Sequence, residues 1–398
     1  MMKINDLGTT YRSYFHMEDK MKEISIYIHI PFCIRKCYYC DFTSFSNLNE
    51  KIPLYMNSLK TELELYREKL LAYSIKTIFI GGGTPSAIEG RYIYDLLVHL
   101  YKNFNLSKDM EITIEVNPGT IDKEKAKIYK EAGINRVSIG VQTFNNRLLK
   151  SIGRIHEVEQ IYESYKLLRK EKIENINMDL IFGLPNQTLE DVLFSIEEAI
   201  RLGVEHISHY SLILEEGTQF YNLNKKGKLN LPDEDEERLM YHKATEYLVE
   251  KGYSHYEISN YALPGFECRH NLVYWDLLPY LGIGLGSHSY MENKRFFNTS
   301  NILDYIEKLG SKLLPIEGEE IINKSTEIEE YCILGLRKIK GIDKNEFKKR
   351  FNVEIEDIYG DVINKHIKNG LIIDDGRSIM LTKKGLDLSN LVEVDFLK

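Results

Sequence analysis

The sequence predicts an α/β protein. A parallel sheet curls into a partial or full barrel, and an appended α+β region and a small winged-helix-like domain follow. Three observations carry this. Strand-like and helix-like segments alternate six times between residues 24 and 214, and strands separated by helices build parallel sheets. Residues 252–300 turn rich in Gly, Tyr, Asn and His. Near the end, helical segments give way to Asp375-Gly376 between two apolar runs, a hairpin signal. At about 150 residues per domain, a chain of 398 residues holds more than one. The expected division is an N-terminal extension over 1–20, a barrel over 21–230, the α+β region over 231–315 and the winged-helix-like domain over 316–398.

Residues 1–20 are polar and aperiodic, and Met21 offers a second start directly before the first strand. Residues 24–30 alternate strictly, so they form a strand with Tyr27 and His29 on one face. Residues 54–71 have helical spacing. Residues 77–80 form a strand ending in Gly81-Gly82-Gly83, and 88–101 are helical. The strand 111–116 stops at Asn117-Pro118-Gly119 and leads to a helix over 123–132. A strand over 136–143 and a helix over 158–171 follow. The strand 176–182 stops at Gly183-Leu184-Pro185, the helix 189–202 comes next, and a sixth strand spans 206–214. Right-handed crossovers between parallel strands curl such a sheet. The acidic run 232–237 opens a helix to about residue 250, as suits the helix dipole. Helical segments at about 326–338, 343–350 and 355–368 precede the hairpin over 371–381.

Composition removes several classes. The chain has 43% hydrophobic and 28% charged residues and a net charge of −8. It is not disordered, and it lacks the basic footprint of a nucleic-acid binder. The run 337–350 is basic, but residues 326–398 hold 13 basic and 14 acidic side chains. That run reads as a solvated helix face or a lid. No stretch of 18 apolar residues exists, so no transmembrane segment is expected. The first residues lack an apolar core, so no signal peptide is expected either. This places the protein in the cytoplasm and allows peripheral contact at the inner face of the membrane.

Five cysteines are unevenly placed. Cys33, Cys37 and Cys40 form C-x3-C-x2-C, while Cys268 and Cys332 stand alone. In a reducing compartment a tight triplet points to metal or cluster chemistry. Three thiolates on one loop can hold three irons of a [4Fe–4S] cube and leave the fourth open. The competing readings are three incidental buried cysteines, or a zinc site completed by a distant residue.

The segment from Tyr27-Ile28-His29-Ile30-Pro31-Phe32-Cys33 to Cys40-Asp41-Phe42 resembles the radical SAM superfamily. More narrowly, it resembles the branch that holds oxygen-independent coproporphyrinogen III oxidases and heme chaperones. The resemblance covers nearly all of 21–398 and implies a partial (β/α)6 barrel. It also implies a [4Fe–4S] cluster whose open iron chelates S-adenosylmethionine (SAM). The other motifs fall at strand C-terminal ends, where barrel sites are built. Gly82, Gly83 and Thr84 follow the second strand and resemble the family's methionine-binding loop. Taken alone, three glycines mark a turn. Glu115, alone among apolar neighbours, stands at a SAM-contacting position of the family; taken alone it reads as a structural carboxylate. The Gln142 amide can serve ribose hydroxyls, Arg154 can clamp a carboxylate, and Asp179 can accept from ribose. Tyr27 joins this set on its strand face, and His29 supports the cluster loop.

His270 stands in His270-Asn271-Leu272-Val273-Tyr274-Trp275. Imidazole ligates heme iron, and aromatic neighbours cover a porphyrin face. A satisfied core histidine is the plain reading of the residues. The motif resembles one of the heme-chaperone branch, which implies heme contact, with His288 as a second choice. Two functions follow. One is a chaperone that binds heme and delivers it to apo-hemoproteins, respiratory and membrane-associated ones first. The alternative is radical decarboxylation of coproporphyrinogen III or other tetrapyrrole chemistry. The oxidases carry a further cysteine two residues past the third, where this chain has Phe42. They also have a longer segment ahead of the cluster, where this chain has 32 residues. With the His270 motif, these features favour the chaperone, and oxidase activity is not expected.

Overall fold

The computed structural model describes residues 21–397; the extension over 1–20 lies outside them. Six strands form the parallel part of the sheet: β1 (Lys22–Ile30), β2 (Tyr73–Gly82), β3 (Leu106–Val116), β4 (Arg136–Gln142), β5 (Asn175–Phe182) and β6 (His206–Ser211). Later strands extend it at both edges. β7 (Ser254–Glu257) and β8 (Asn260–Ala262) add antiparallel beside β6. β9 (Tyr280–Ile283) pairs parallel with β1, and β10 (His288–Met291), β11 (Lys294–Asn298) and β12 (Ile316–Ile321) continue antiparallel. The order β12-β11-β10-β9-β1-β2-β3-β4-β5-β6-β8-β7 leaves two free edges. The barrel is therefore partial.

Alternation explains what each face does. In β1, Ile24, Ile26, Ile28 and Ile30 are buried in the main apolar core. Ser25, Tyr27 and His29 point to the concave interior, which is polar. There Thr77 Oγ1 donates to Ser25 Oγ at 2.7 Å, and Asn177 Nδ2 donates to Ser138 Oγ at 2.6 Å. His206 Nδ1 meets Asn177 Oδ1 at 2.6 Å. A polar interior needs partners, and these strands supply many to one another, while Thr113 Oγ1 and Arg136 Nε are left without one among the described residues.

Several boundaries depart from expectation. β2 begins at Tyr73 rather than 77, and β3 at Leu106 rather than 111. The helix over 54–71 is two pieces, Ile52–Leu65 and Arg67–Leu70, divided at Tyr66. The sixth strand ends at Ser211 rather than 214, after which Leu212 and Ile213 swing over the sheet's end.

The C-terminal part runs helix Lys324–Leu336, β13 (Ile342–Asp343), helices Lys344–Phe351 and Ile355–Lys368, then the hairpin β14 (Ile372–Asp374) and β15 (Ser378–Leu381). Its sheet order is β13-β15-β14, a winged-helix arrangement. It has its own core, with Leu336, Phe347, Phe351, Ile355 and Ile379 at its centre.

Candidate metal centre and ligand cavity

After β1 the chain turns through the cysteine loop. Cys33 N–H donates to the Phe45 carbonyl at 2.9 Å, and Phe45 N–H donates to the Pro31 carbonyl at 2.7 Å, which closes the loop. His29 anchors its far end. Its Nε2 donates to the Thr43 carbonyl at 2.8 Å, so Nδ1 accepts from the Tyr27 hydroxyl at 3.0 Å. Cys33 is buried, and Cys37 and Cys40 are half-buried. Burial pushes the Cys40 thiol up to about 11.

The glycine loop lies against the cysteine loop. Gly83 N–H donates to the Ile30 carbonyl at 2.9 Å, and Thr84 N–H donates to the Phe32 carbonyl at 2.8 Å. Thr84 Oγ1 donates to Cys33 Sγ at 3.5 Å. A Cβ on Gly83 would stand 3.0 Å from that sulfur, and one on Gly82, at φ +112°, would stand 2.6 Å from the His29 ring. Neither position admits a side chain without movement of the loop.

Both loops open on a cavity of about 450 Å³ at the C-terminal ends of the strands. Cys33, Cys37, Cys40, Gly82, Gly83, Thr84, Glu115, Gln142, Arg154 and Asp179 all line it. Glu115 accepts from Gly82 N–H at 3.0 Å. Burial, and then the neighbouring Asp179, push its carboxyl up to about 8. Burial also raises Asp179, against the hydrogen bonds it accepts from Ser138 and Asn177, each at 2.8 Å. Arg154 donates from Nη1 to Asn117 Oδ1 at 3.0 Å and from Nη2 to the Gly140 carbonyl at 2.8 Å. Burial opposes its charge, but Tyr39, Cys37 and Asp179 outweigh burial and hold it protonated. Its buried Nε has no partner among the described residues. Gln142 is left-handed at φ +67°, which aims a buried amide at a place an extended strand would not reach.

Some contributors were not read from sequence. Asn117 links Arg154 to Thr84, donating from Nδ2 to Thr84 Oγ1 at 3.0 Å; in the sequence it is only a turn residue. Tyr39 lies between the cysteines and Arg154, and Phe42, Tyr210 and Ile213 supply exposed apolar rim. The arrangement sets one guanidinium against two carboxylates, which suits a ligand with both a carboxylate and a positive centre.

Tyr27 and His270 do not line the cavity. Tyr27 reaches it indirectly, through His29 and Gly82. His270 lies outside it, on the helix Arg269–Trp275, with its ring 5.2 Å from that of Phe79 and bonded to Thr77 in the lower half of β2. Glu111 caps that helix, accepting from the N–H groups of Arg269 at 3.2 Å and His270 at 3.1 Å. Thr77 Oγ1 already donates to Ser25, so His270 Nδ1 donates to Thr77 Oγ1 at 2.6 Å. Its Nε2 then accepts from the Tyr274 hydroxyl at 2.9 Å. The residue is 1% exposed, and burial, then Arg136, push its pKa down to about 3. His270 is thus neutral with both ring nitrogens hydrogen-bonded, and the heme contact expected of it meets no free nitrogen in this structure. Among the described histidines, His288 is the exposed one, stacked on Phe297 at 5.3 Å.

Residues 27–199 match the radical SAM superfamily, and residues 322–388 match the HemN C-terminal domain. The heme chaperone HemW of Lactococcus lactis is 41% identical over 94% of this chain and 98% of its own length. The chain belongs to the HemW family. The Bacillus subtilis heme chaperone HemW is 39% identical over 94% and 99% of the two chains. Among solved structures, coproporphyrinogen III oxidase HemN from Escherichia coli superposes with a TM-score of 0.82 at 22% identity, over 94% of this chain and 90% of that one. That likeness is one of fold. As a radical SAM family, HemW implies a [4Fe–4S] cluster and SAM. The residues present fit such a cluster. Its thiolates sit on separate irons and need not converge, and among the described residues no three Cys, His, Asp or Glu side chains converge on a single ion. Gly83 leaves the space beside Cys33 open. Among the described residues no helix is long and apolar enough to cross a membrane.

Proposed function

We propose that this protein holds a [4Fe–4S] cluster on Cys33, Cys37 and Cys40, binds SAM along the strand ends, and carries heme to apo-hemoproteins. Respiratory enzymes, including membrane-associated ones, are the first acceptors to test. One observation carries the reading: the cysteine triplet, the glycine loop and Arg154 share one cavity in a chain whose relatives are named heme chaperones. The cluster, when bound, supplies an iron able to chelate an amino acid and one electron. The chain does the rest. Arg154 offers a carboxylate its unpartnered Nε. Gly82 and Gly83 let the ligand approach the backbone. Glu115 and Asp179 face the ligand's positive centre, and Gln142 and Asp179 take the ribose.

Phe42 favours the carrier over the oxidase, because it stands where the oxidases have another cysteine. Two assays on anaerobically reconstituted protein test the reading. Hemin titration should give a saturable Soret band. Incubation with coproporphyrinogen III, SAM and a reductant should release no CO2. Stoichiometric CO2 release, or no hemin binding, overturns it.

A further inference from the structure

A chain of hydrogen bonds runs from the guanidinium of Arg154 to one of the three loop cysteines. Arg154 Nη1 donates to Asn117 Oδ1 at 3.0 Å, Asn117 Nδ2 donates to Thr84 Oγ1 at 3.0 Å, and Thr84 Oγ1 donates to Cys33 Sγ at 3.5 Å. Its direction is fixed. An arginine only donates, so the Asn117 oxygen faces Arg154 and the amide nitrogen faces Thr84. A hydroxyl has one proton, and with Asn117 donating to its oxygen, the Thr84 proton goes to the sulfur. Sulfur accepts weakly as a thiol and more strongly once it carries the charge of a metal-bound thiolate.

Every member of the chain is held in place. A Cβ on Gly140 would stand 2.7 Å from both Arg154 Nη2 and Asn117 Oδ1, so a side chain there would push the pair apart. Asn117 N–H donates to Ser86 Oγ at 3.1 Å, and its carbonyl accepts from Thr120 Oγ1 at 2.6 Å. Thr84 N–H donates to the Phe32 carbonyl at 2.8 Å. Thr84 is 4% exposed, so burial keeps water from competing for its hydroxyl. In a low-dielectric interior successive donors polarise one another, so the charge of Arg154 is felt at Cys33.

We propose that Thr84 and Asn117 are positioning residues for the cluster: their relay delivers a hydrogen bond to the Cys33 thiolate and raises the cluster's reduction potential, with Arg154 as its source of charge. This deepens the cluster and SAM reading of the same cavity and rests on it. A hydrogen bond to a cluster sulfur favours the reduced form, in which the sulfur is more negative, and such bonds are among the levers that set iron–sulfur potentials. Thr84 thus serves the metal centre as well as the glycine loop. The relay also makes the carboxylate clamp and the electron source one hydrogen-bonded unit, so a ligand that shifts Arg154 is felt at the cluster.

The test is a redox titration, followed by EPR, of the anaerobically reconstituted full-length protein, with iron and sulfide measured in each sample. Thr84→Val keeps the shape of the side chain and removes its proton. At a fixed potential the reduced-to-oxidised ratio should fall about threefold, a midpoint about 28 mV lower for one electron. Thr84→Ser returns a hydroxyl and should return the wild-type midpoint, although valine is the closer match in shape. Asn117→Ala should lower the midpoint by less. A wild-type midpoint in Thr84→Val with full cluster content overturns the relay and leaves the cluster reading standing. If Thr84→Val assembles no cluster, the Asn117→Ala midpoint decides, and a wild-type value there overturns the relay. A wild-type protein that takes up no cluster overturns the cluster reading, and the relay with it.

Discussion

Arg154 can do its work because its neighbours hold it still. Asn117 Oδ1 and the Gly140 carbonyl take its two outer nitrogens, and a Cβ on Gly140 would stand 2.7 Å from Nη2. What remains is a fixed Nε–H and a charge held by Tyr39, Cys37 and Asp179. Arg154→Ala should therefore cost about 1.5–3 kcal/mol in SAM binding, measured by equilibrium dialysis with the cluster intact. Unchanged affinity removes Arg154 from the site. His270 poses the opposite question, because its lone pair already accepts the Tyr274 proton. Iron can take Nε2 only after that bond breaks. With that nitrogen occupied and the ring buried, Tyr274→Phe should leave the rate of hemin association at its wild-type value. If stopped-flow shows the wild-type rate and His270→Ala keeps the wild-type Soret band, then His270 serves the barrel alone.

At the scale of elements, one buried carboxylate ties three segments together. Glu62, on helix Ile52–Leu65, accepts from Gly284 N–H at 2.9 Å, from Asn298 Nδ2 at 2.6 Å and from the Tyr305 hydroxyl. Burial pushes it up to about 7 from an ordinary value of 4.5. A raised acid binds its proton more tightly in the folded chain, so its stabilising contribution is complete below pH 4.5 and is lost as pH rises through about 7. Across that window the change is at most about 3 kcal/mol. Glu62→Gln should flatten urea-measured stability between these limits; a wild-type slope in the variant assigns the dependence to other groups. The sequence showed the strands around this tie because Ile24 to Ile30 alternate plainly. It also showed the cysteine loop and glycine loop, because their residue types allow few uses. Glu62 and Asn117 escaped it, since each looks like a surface or turn residue until partners more than 30 positions away arrive. His270 escaped it for a related reason. Nothing local says that Glu111 draws its helix to the foot of the barrel rather than to the mouth.

The whole molecule is two packed bodies in broad contact: Arg295 pairs with Glu330 at 2.6 Å, His242 meets Asp387 at 3.0 Å, and a further seam begins where the His270 helix ends. Arg337 lies over the Trp275 ring at 4.4 Å, and Lys338 pairs with Asp276. Backbone bonds run from Ile258 N–H to the Arg337 carbonyl and from Ile339 N–H to the Tyr256 carbonyl, both at 3.1 Å. Arg350 closes it, donating to the carbonyls of Asp276 at 3.0 Å and Leu277 at 2.8 Å while Glu327 holds its other edge at 2.9 Å. The second core also buries Leu277 and Tyr290 of the first body, so the contact between the bodies sets how independently they open. Arg350→Ala orphans two carbonyls and a half-buried carboxylate at once. That should cost about 1–3 kcal/mol, and the loss should fall on the seam. Hydrogen exchange should quicken across the C-terminal domain, from helix Lys324–Leu336 to β15, while the amides of β1 to β6 keep wild-type protection. Equal loss of protection in both bodies would mean that they unfold as one unit, and that a cleft between them opens only when the barrel does.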